Sequence, residues 1–365
     1  MRPSRRALLR AAALRCGWPW IPKGVVVTGL LAPRGYIRGT YAQAGEIWGD
    51  RLLRQFQDIG VDSLRLTLSI AGLDPTNAMP DGKMDAAQKQ AYLKQISAAV
   101  DQAERYGMTS LLTLAHGEVS GVNNAEHTPG PEAARAWAVL AKAYANRPSV
   151  FFDAFNEPTF GGAASIDTDP SPWKSWHSSY QLMVDTIRKT GARNVIVLDS
   201  ISTSRVWRKN TDGNIPNDPV HQLAFDIHPY PTDSSFKRSG GSTKLDYYRV
   251  ADIEHYLDGW CTRHACIVSE FFTGIGRNPD KANCYDNKKI PGVDSPQIAA
   301  SFVDYFTRNR IGVFIFTGDW KFRLFDHPGK PGARLTSFAN FKDCSGDKSM
   351  GPGELMRYTW LKIGR

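Results

Sequence analysis

The sequence predicts a single α/β domain of the (β/α)8, or TIM-barrel, type. Three observations predict it. From about residue 24 onward, short apolar runs rich in β-branched residues alternate with longer amphipathic runs, and strands that alternate with helices make a parallel sheet. The strand-like runs number eight, which is the barrel count. No Gly-x-Gly-x-x-Gly follows the first of them, against a dinucleotide-binding open sheet, and neither an internal repeat nor a low-complexity linker marks a second domain.

Each element has its own signal. Strands are predicted over 24–30 and 61–68, with a helix over 44–59 between them. The helix over 85–106 carries Tyr92, Ile96, Val100 and Ala103 at helical spacing. Strand three spans 108–115, and the helix over 131–144 starts on a proline, whose fixed φ suits a first turn. Strand four (149–155), a helix (171–190) and strand five (194–199) follow. Residues 203–219 are polar and turn-rich, so the helix there is short or replaced by loops. Strand six (222–228), a helix (244–257), strand seven (264–271), a helix (295–308), strand eight (311–316) and a closing helix (353–363) complete the pattern.

The formal net charge of +9 invites a nucleic-acid reading, but its distribution argues against one. Eight basic residues precede the first acidic residue, Glu46, and without them 37 Lys and Arg stand against 36 Asp and Glu. A nucleic-acid binder carries its basic stripe on the folded domain, so no nucleic-acid partner is expected. No apolar run approaches the roughly 20 residues of a membrane-spanning helix, so no span is expected. The chain divides into a basic leader over 1–20 and a barrel over 21–365. The leader's Ser4-Arg5-Arg6-Ala7-Leu8-Leu9 resembles a twin-arginine export signal, interrupted by Arg10 and Arg15. Secreted or periplasmic location is the matching expectation, and a disordered leader is the alternative. Cys16 lies in the leader. Cys261, Cys266, Cys284 and Cys344 allow two disulfides in three connectivities, or free thiols, and lack the paired Cys-x2-Cys spacing of a zinc site.

In a barrel the chemistry sits at the C-terminal strand ends. There the sequence places Arg65 on strand two, His116 after strand three, Asn156-Glu157-Pro158 at strand four, His228 and Tyr230 at strand six, Glu270 on strand seven, and Asp319-Trp320 after strand eight. Asp199-Ser200 ends strand five and is less telling. Three βα units separate Glu157 from Glu270, so the two face each other across the mouth. Facing carboxyl groups suit glycoside hydrolysis, in which one protonates the leaving oxygen and the other stabilises or attacks the anomeric carbon. A cation within about 4–6 Å favours an ionised carboxylate, a role open to Arg65. His228 and Tyr230 can hold the carboxylates, Asn156 can reach a sugar hydroxyl, and Trp320 offers a flat face to a pyranose ring. Alone, each has an ordinary explanation as a cap, an ion pair, a bonded core histidine or a packed aromatic. Their convergence on one rim favours the site. Trp173, Trp176 and Trp207 are read as packing rather than outer sugar subsites.

The run Phe152-Asp153-Ala154-Phe155-Asn156-Glu157-Pro158 resembles the Asn-Glu-Pro signature of glycoside hydrolase family five, a cellulase-like family in a clan of retaining (β/α)8 enzymes. Ile267-Val268-Ser269-Glu270-Phe271 is similar to its strand-seven segment. The resemblance runs from about residue 24 to the end. It implies that Glu157 is the acid/base and Glu270 the nucleophile, that Arg65 stands beside the nucleophile, and that His116, His228 and Tyr230 match the family's histidine and His-x-Tyr positions. Phe272 replaces the glycine often found after the nucleophile segment, and Phe316 stands where the family carries a tryptophan.

The expected protein is a retaining, monomeric β-glycosidase acting on a polysaccharide or oligosaccharide, with β-1,4-glucan first and mannan or β-1,3-glucan next. No cofactor and no metal are expected, because two carboxylates suffice. A transglycosylase on the same site and a sugar-binding barrel without turnover are the alternatives. An aldolase would need a strand-end lysine, and none is found.

Overall fold

Eight parallel strands close on themselves in chain order in a computed structural model of the protein. The structure describes residues 21–27, 48–76, 84–115, 128–160, 169–207, 209–229, 257, 259–271, 295–316, 324–336, 353, 356, 357 and 360. The predicted leader, the body of the predicted helix over 244–257, and Cys16, Cys284 and Cys344 lie outside them. The strands are β1 (Lys23–Val27), β2 (Ser63–Ser69), β3 (Thr109–Ala115), β4 (Val150–Asp153), β5 (Ile196–Asp199), β6 (Leu223–Asp226), β7 (Cys266–Phe271) and β8 (Gly312–Ile315). Closure runs through β1, which pairs with β2 at Gly24↔Ser63 and with β8 at Gly24↔Phe314.

The main helices are α1 (Asp50–Asp58), α2 (Ala86–Arg105), α3 (Pro131–Tyr144), α4 (Ser171–Lys189) and α5 (Ser295–Arg308). Their ends follow local chemistry. Asp85 accepts from the Gln88 backbone N–H while Gln88 accepts from that of Asp85, a reciprocal cap on α2. Pro131 opens α3 as its first residue. Between β5 and β6 a short 3-10 turn, Lys209–Asn214, stands where the sequence is turn-rich. A disulfide joins Cys261, in the helical turn Trp260–Arg263, to Cys266 at the start of β7, one of the pairings the spacing allows. Among the described residues no helix is long and apolar enough to cross a membrane.

Successive side chains of a strand point to opposite faces, so every strand but β2 feeds two cores. Val25, Leu64, Leu66, Leu112, Phe152, Ile196, Val268 and Val313 join the larger core that includes helix residues such as Trp137 and Trp176. Val26, Leu111, Phe151, Val197, Ala224, Ile267 and Phe314 form a second cluster inside the barrel, drawn from every strand except β2. Gly24 is needed here, since a Cβ on it would lie 2.1 Å from the Phe314 ring. Gly24→Val is therefore expected to destabilise the barrel by about 1–3 kcal/mol through overpacking. A thermal melt reads this as a drop of several degrees, and an unchanged midpoint would mean that the ring has another place to go.

Candidate active site

The inward register that builds the inner core turns polar toward the mouth. On β2, Leu64, Leu66 and Leu68 face outward and leave Ser63, Arg65, Thr67 and Ser69 on the other face, all buried. Three successive strands end on an aspartate in the inward register: Val-Phe-Phe-Asp on β4, Ile-Val-Leu-Asp on β5 and Leu-Ala-Phe-Asp on β6. Asp153, Asp199 and Asp226 are fully buried. A layer of carboxyl groups therefore lies above the apolar layer of Phe151, Val197 and Ala224. Such groups are tolerated in a core only when paired or hydrogen-bonded, or when neutral.

Arg65 supplies much of the pairing. Its Nη1 donates to Glu270 Oε1 at 2.5 Å, its Nε and Nη2 to Asp153 Oδ2 at 3.1 and 2.8 Å, and Nη2 also to Asn156 Oδ1 at 2.7 Å. Thr113 donates to the same Asp153 oxygen at 2.8 Å. The planar guanidinium thus ties β2 to β4 and β7 at once, geometry that a lysine could not reproduce. Burial opposes its charge, but Asp153 and Glu270 outweigh burial and hold Arg65 more firmly protonated than usual.

His228, just past β6, makes the second link. Its Nδ1 lies 2.8 Å from Glu157 Oε1 and 4.0 Å from Glu270 Oε2. Its Nε2 lies 2.9 Å from Ser269 Oγ and 3.3 Å from Asp226 Oδ2. Asp226 also accepts from the Ser269 hydroxyl, and from the Ser269 backbone N–H at 2.8 Å. That N–H falls where the β7–β8 register shifts between Val268 and Phe271, the irregularity that carries Glu270. Glu157 has a positive φ of 50°, a left-handed backbone that L-residues rarely adopt, and its N–H donates to Asp199 Oδ2 at 2.8 Å. Left-handed non-glycine residues cluster at functional sites.

Of the residues expected at the rim, Arg65, Asn156, Glu157, His228 and Glu270 converge in one hydrogen-bonded group. His116, Tyr230 and Trp320 lie outside the described residues. The sequence reading passed over Asp153, Asp226 and Ser269 and set Asp199 aside. The signal was present, since a charged residue closes three apolar strands in a row. Two trios, Glu157/His228/Glu270 and Asp199/Asp226/His228, each have donor atoms within 4.8 Å of one another. Several of those atoms already bond Arg65, Ser269 or one another, a set built from internal pairing.

Residues 37–319 match the sequence profile of the family Cellulase (glycosyl hydrolase family 5). The chain belongs to that family. This glycosyl hydrolase family 5 member is also similar in fold to solved endoglucanases. An endo-β-1,4-glucanase from Xanthomonas axonopodis pv. citri is 19% identical, with 93% of this chain and 98% of that one covered and a TM-score of 0.57. An endoglucanase from Pseudomonas stutzeri, in complex with cellobiose, is 16% identical, with 92% and 91% covered and a TM-score of 0.57. A broad-specificity endoglucanase from an uncultured bacterium is 16% identical, with 97% and 96% covered and a TM-score of 0.60.

In this family 5 protein the aspartate layer is braced from the helix side. Trp176 on α4 donates its indole N–H to the Asp199 carbonyl at 2.8 Å, and Trp207 to the Asp226 carbonyl at 2.9 Å. Both rings are fully buried, and Trp173 is nearly so, which makes all three packing residues, as expected. Burial opposes charge on His228, yet the Glu270 and Asp226 carboxylates lift it well above the ordinary histidine range. Burial, reinforced by Asp153 and Asp226, pushes the Asp199 carboxyl well above the carboxylate range.

A pH dependence follows from Asp199. In the unfolded chain it ionises near about pH 3.9, while the fold keeps its proton. Unfolding above that pH therefore releases a proton, and stability falls as pH rises toward the folded value. Asp199→Asn releases none. Its stability relative to wild type is expected to climb between about pH 5 and about pH 7, by up to about 1.4 kcal/mol per pH unit. Melting curves at several pH values read this, and parallel curves would mean that Asp199 is already ionised in the fold.

Proposed function

We propose that this chain is a retaining β-glycosidase whose first substrate is β-1,4-glucan, with Glu157 as acid/base and Glu270 as nucleophile. One observation carries the reading. Carboxylate oxygens of Glu157 and Glu270 approach within 4.8 Å, with His228 beside both and Arg65 bonded to Glu270. That closeness favours the roughly 5–5.5 Å carboxyl separation of retaining enzymes over the about 6.5–9.5 Å that leaves room for water in inverting ones.

The asymmetry supports the roles. Glu270, 11% exposed at its side chain and bonded by Arg65, is in this reading the group that attacks the anomeric carbon. Glu157 is more open, at 24%, and bonds the titratable ring of His228. As the bond to the leaving sugar breaks, the Glu157 proton goes to the leaving oxygen and Glu270 is bonded to the sugar. A water then gives a proton to Glu157 and attacks that carbon, releasing Glu270. The Asn156 carbonyl is occupied by Arg65, which directs its NH2 donors toward a sugar hydroxyl. His116, Tyr230 and Trp320 complete the sugar contacts in this reading.

The substrate choice is supported by the family and by the solved relative that holds cellobiose. A polymeric glucan lies outside the cell, so the same reading has the barrel over 21–365 exported behind its basic segment and working as a monomer without a cofactor. The test is a panel of β-1,4-glucan, mannan and β-1,3-glucan with product sizing. β-1,4-Glucan is expected to be shortened fastest. Products longer than the starting oligosaccharide would mark transglycosylation, and inertness on every glycan would sink the reading.

A further inference from the structure

Glu157 is gripped on both sides by the end of β5. Its own N–H donates to Asp199 Oδ2 at 2.8 Å. The turn after Asp199, Ile201–Ser204, takes hold of the next two residues: the Thr203 N–H donates to the Pro158 carbonyl at 3.0 Å and the Ser202 N–H to the Thr159 carbonyl at 3.3 Å. Ser202, Thr203 and Ser204 are consecutively left-handed, with φ of 54°, 56° and 58°. A turn so strained persists only where its surroundings over-determine it. The Ser204 hydroxyl donates to the Asp226 carbonyl at 3.1 Å, and its own carbonyl accepts from the His228 N–H at 2.7 Å. Below the turn, Trp176 fixes the Asp199 carbonyl. Strand-type backbone bonds stop one residue short of Glu157, at the Asn156 N–H, which donates to the Leu114 carbonyl at 2.8 Å.

We propose that Asp199 is a positioning residue for the acid/base, setting the left-handed backbone of Glu157 through its N–H and thereby the aim of its carboxyl group. This rests on the reading of Glu157 as acid/base. Asp199 is fully buried, and its Oδ1 has no hydrogen-bond partner among the described residues. Burial and the neighbouring Asp153 and Asp226 keep it neutral, so Oδ2 acts as a carbonyl-type acceptor. An asparagine supplies the same acceptor on the same frame. Alanine supplies none, and a serine hydroxyl is too short to reach the N–H.

The position of an acid matters most when the leaving group is poor. Asp199→Ala, Asp199→Ser and Asp199→Asn are compared with wild type on a cello-oligosaccharide and on 2,4-dinitrophenyl β-cellobioside, whose leaving group needs no proton. The readout is kcat/KM, which reports the steps through bond cleavage. For Ala and Ser, kcat/KM on the oligosaccharide is expected to fall about 100-fold, the order of loss for a misplaced catalytic group, and on the dinitrophenyl substrate less than about 5-fold. Asn is expected to recover most of the loss. Equal losses on both substrates, an asparagine variant as impaired as alanine, or no loss at all would each overturn the proposal. So would failure of both Ala and Ser variants to fold while Asn folds, since Asp199 would then be a folding residue. Glu157→Ala is the reference. If it shows no preference for the dinitrophenyl substrate, the assignment of Glu157 fails. If it shows that preference and the Asp199 variants do not, only the positioning role fails.

Discussion

Glu270→Gly is expected to lose activity by on the order of 10⁴-fold or more on every substrate, activated or not, because no covalent intermediate can form. The loss should fall on kcat, and the fold should survive, since Arg65 keeps Asp153 and Asn156 as partners. The cavity left by the carboxylate can admit azide, which attacks from the face Glu270 occupied. An activated β-glycoside should then yield an α-glycosyl azide, which NMR identifies. A β product from this variant would reverse the roles of the two glutamates, and full activity without azide would remove Glu270 from the chemistry.

Glu157→Ala should fail selectively. Proton donation contributes roughly 10²–10⁴-fold, so kcat/KM on unactivated glucan is expected to drop by that order while a dinitrophenyl glycoside still reacts in its first step. The glycosyl-enzyme should then accumulate, because no base activates water, and a burst of dinitrophenol followed by slow turnover would record it. Azide needs no base and should attack the intermediate to give a β-glycosyl azide. Uniform loss across leaving groups would show that Glu157 is not the proton donor.

Much of the barrel could be read from spacing. Short β-branched apolar runs located the strands, and apolar residues at helical spacing the long helices, to within a few residues wherever the two can be compared, and a proline marked the start of α3. Arg65, Asn156, Glu157, His228 and Glu270 were legible because each stands at a strand end in a residue type that the chemistry needs. The aspartates were harder to see. A single Asp closing an apolar run reads as the polar residue that ends a strand. Its inward aim emerges only when the register of β4, β5 and β6 is known together. The Ser269 contact depends on a register shift in β7, and the left-handed φ of Glu157 depends on groups from the next strand. Neither leaves a spacing signature, because both are properties of neighbours that meet only in the closed barrel.

The acidic layer beneath the mouth also constrains how this protein can evolve. Three buried carboxyls and a guanidinium occupy positions where leucine or valine would pack, and exchanging buried charge networks for apolar side chains of similar volume is often neutral or favourable by about 1–4 kcal/mol. Selection for heat tolerance alone would therefore drift toward an apolar layer and a hardier but inert barrel. Proteins retain such unfavourable interiors where activity is selected along with stability. Screens for robust variants should score turnover in every round, and apolar substitutions that raise the melting point at residues 153, 199 or 226 should be read as warnings of lost chemistry.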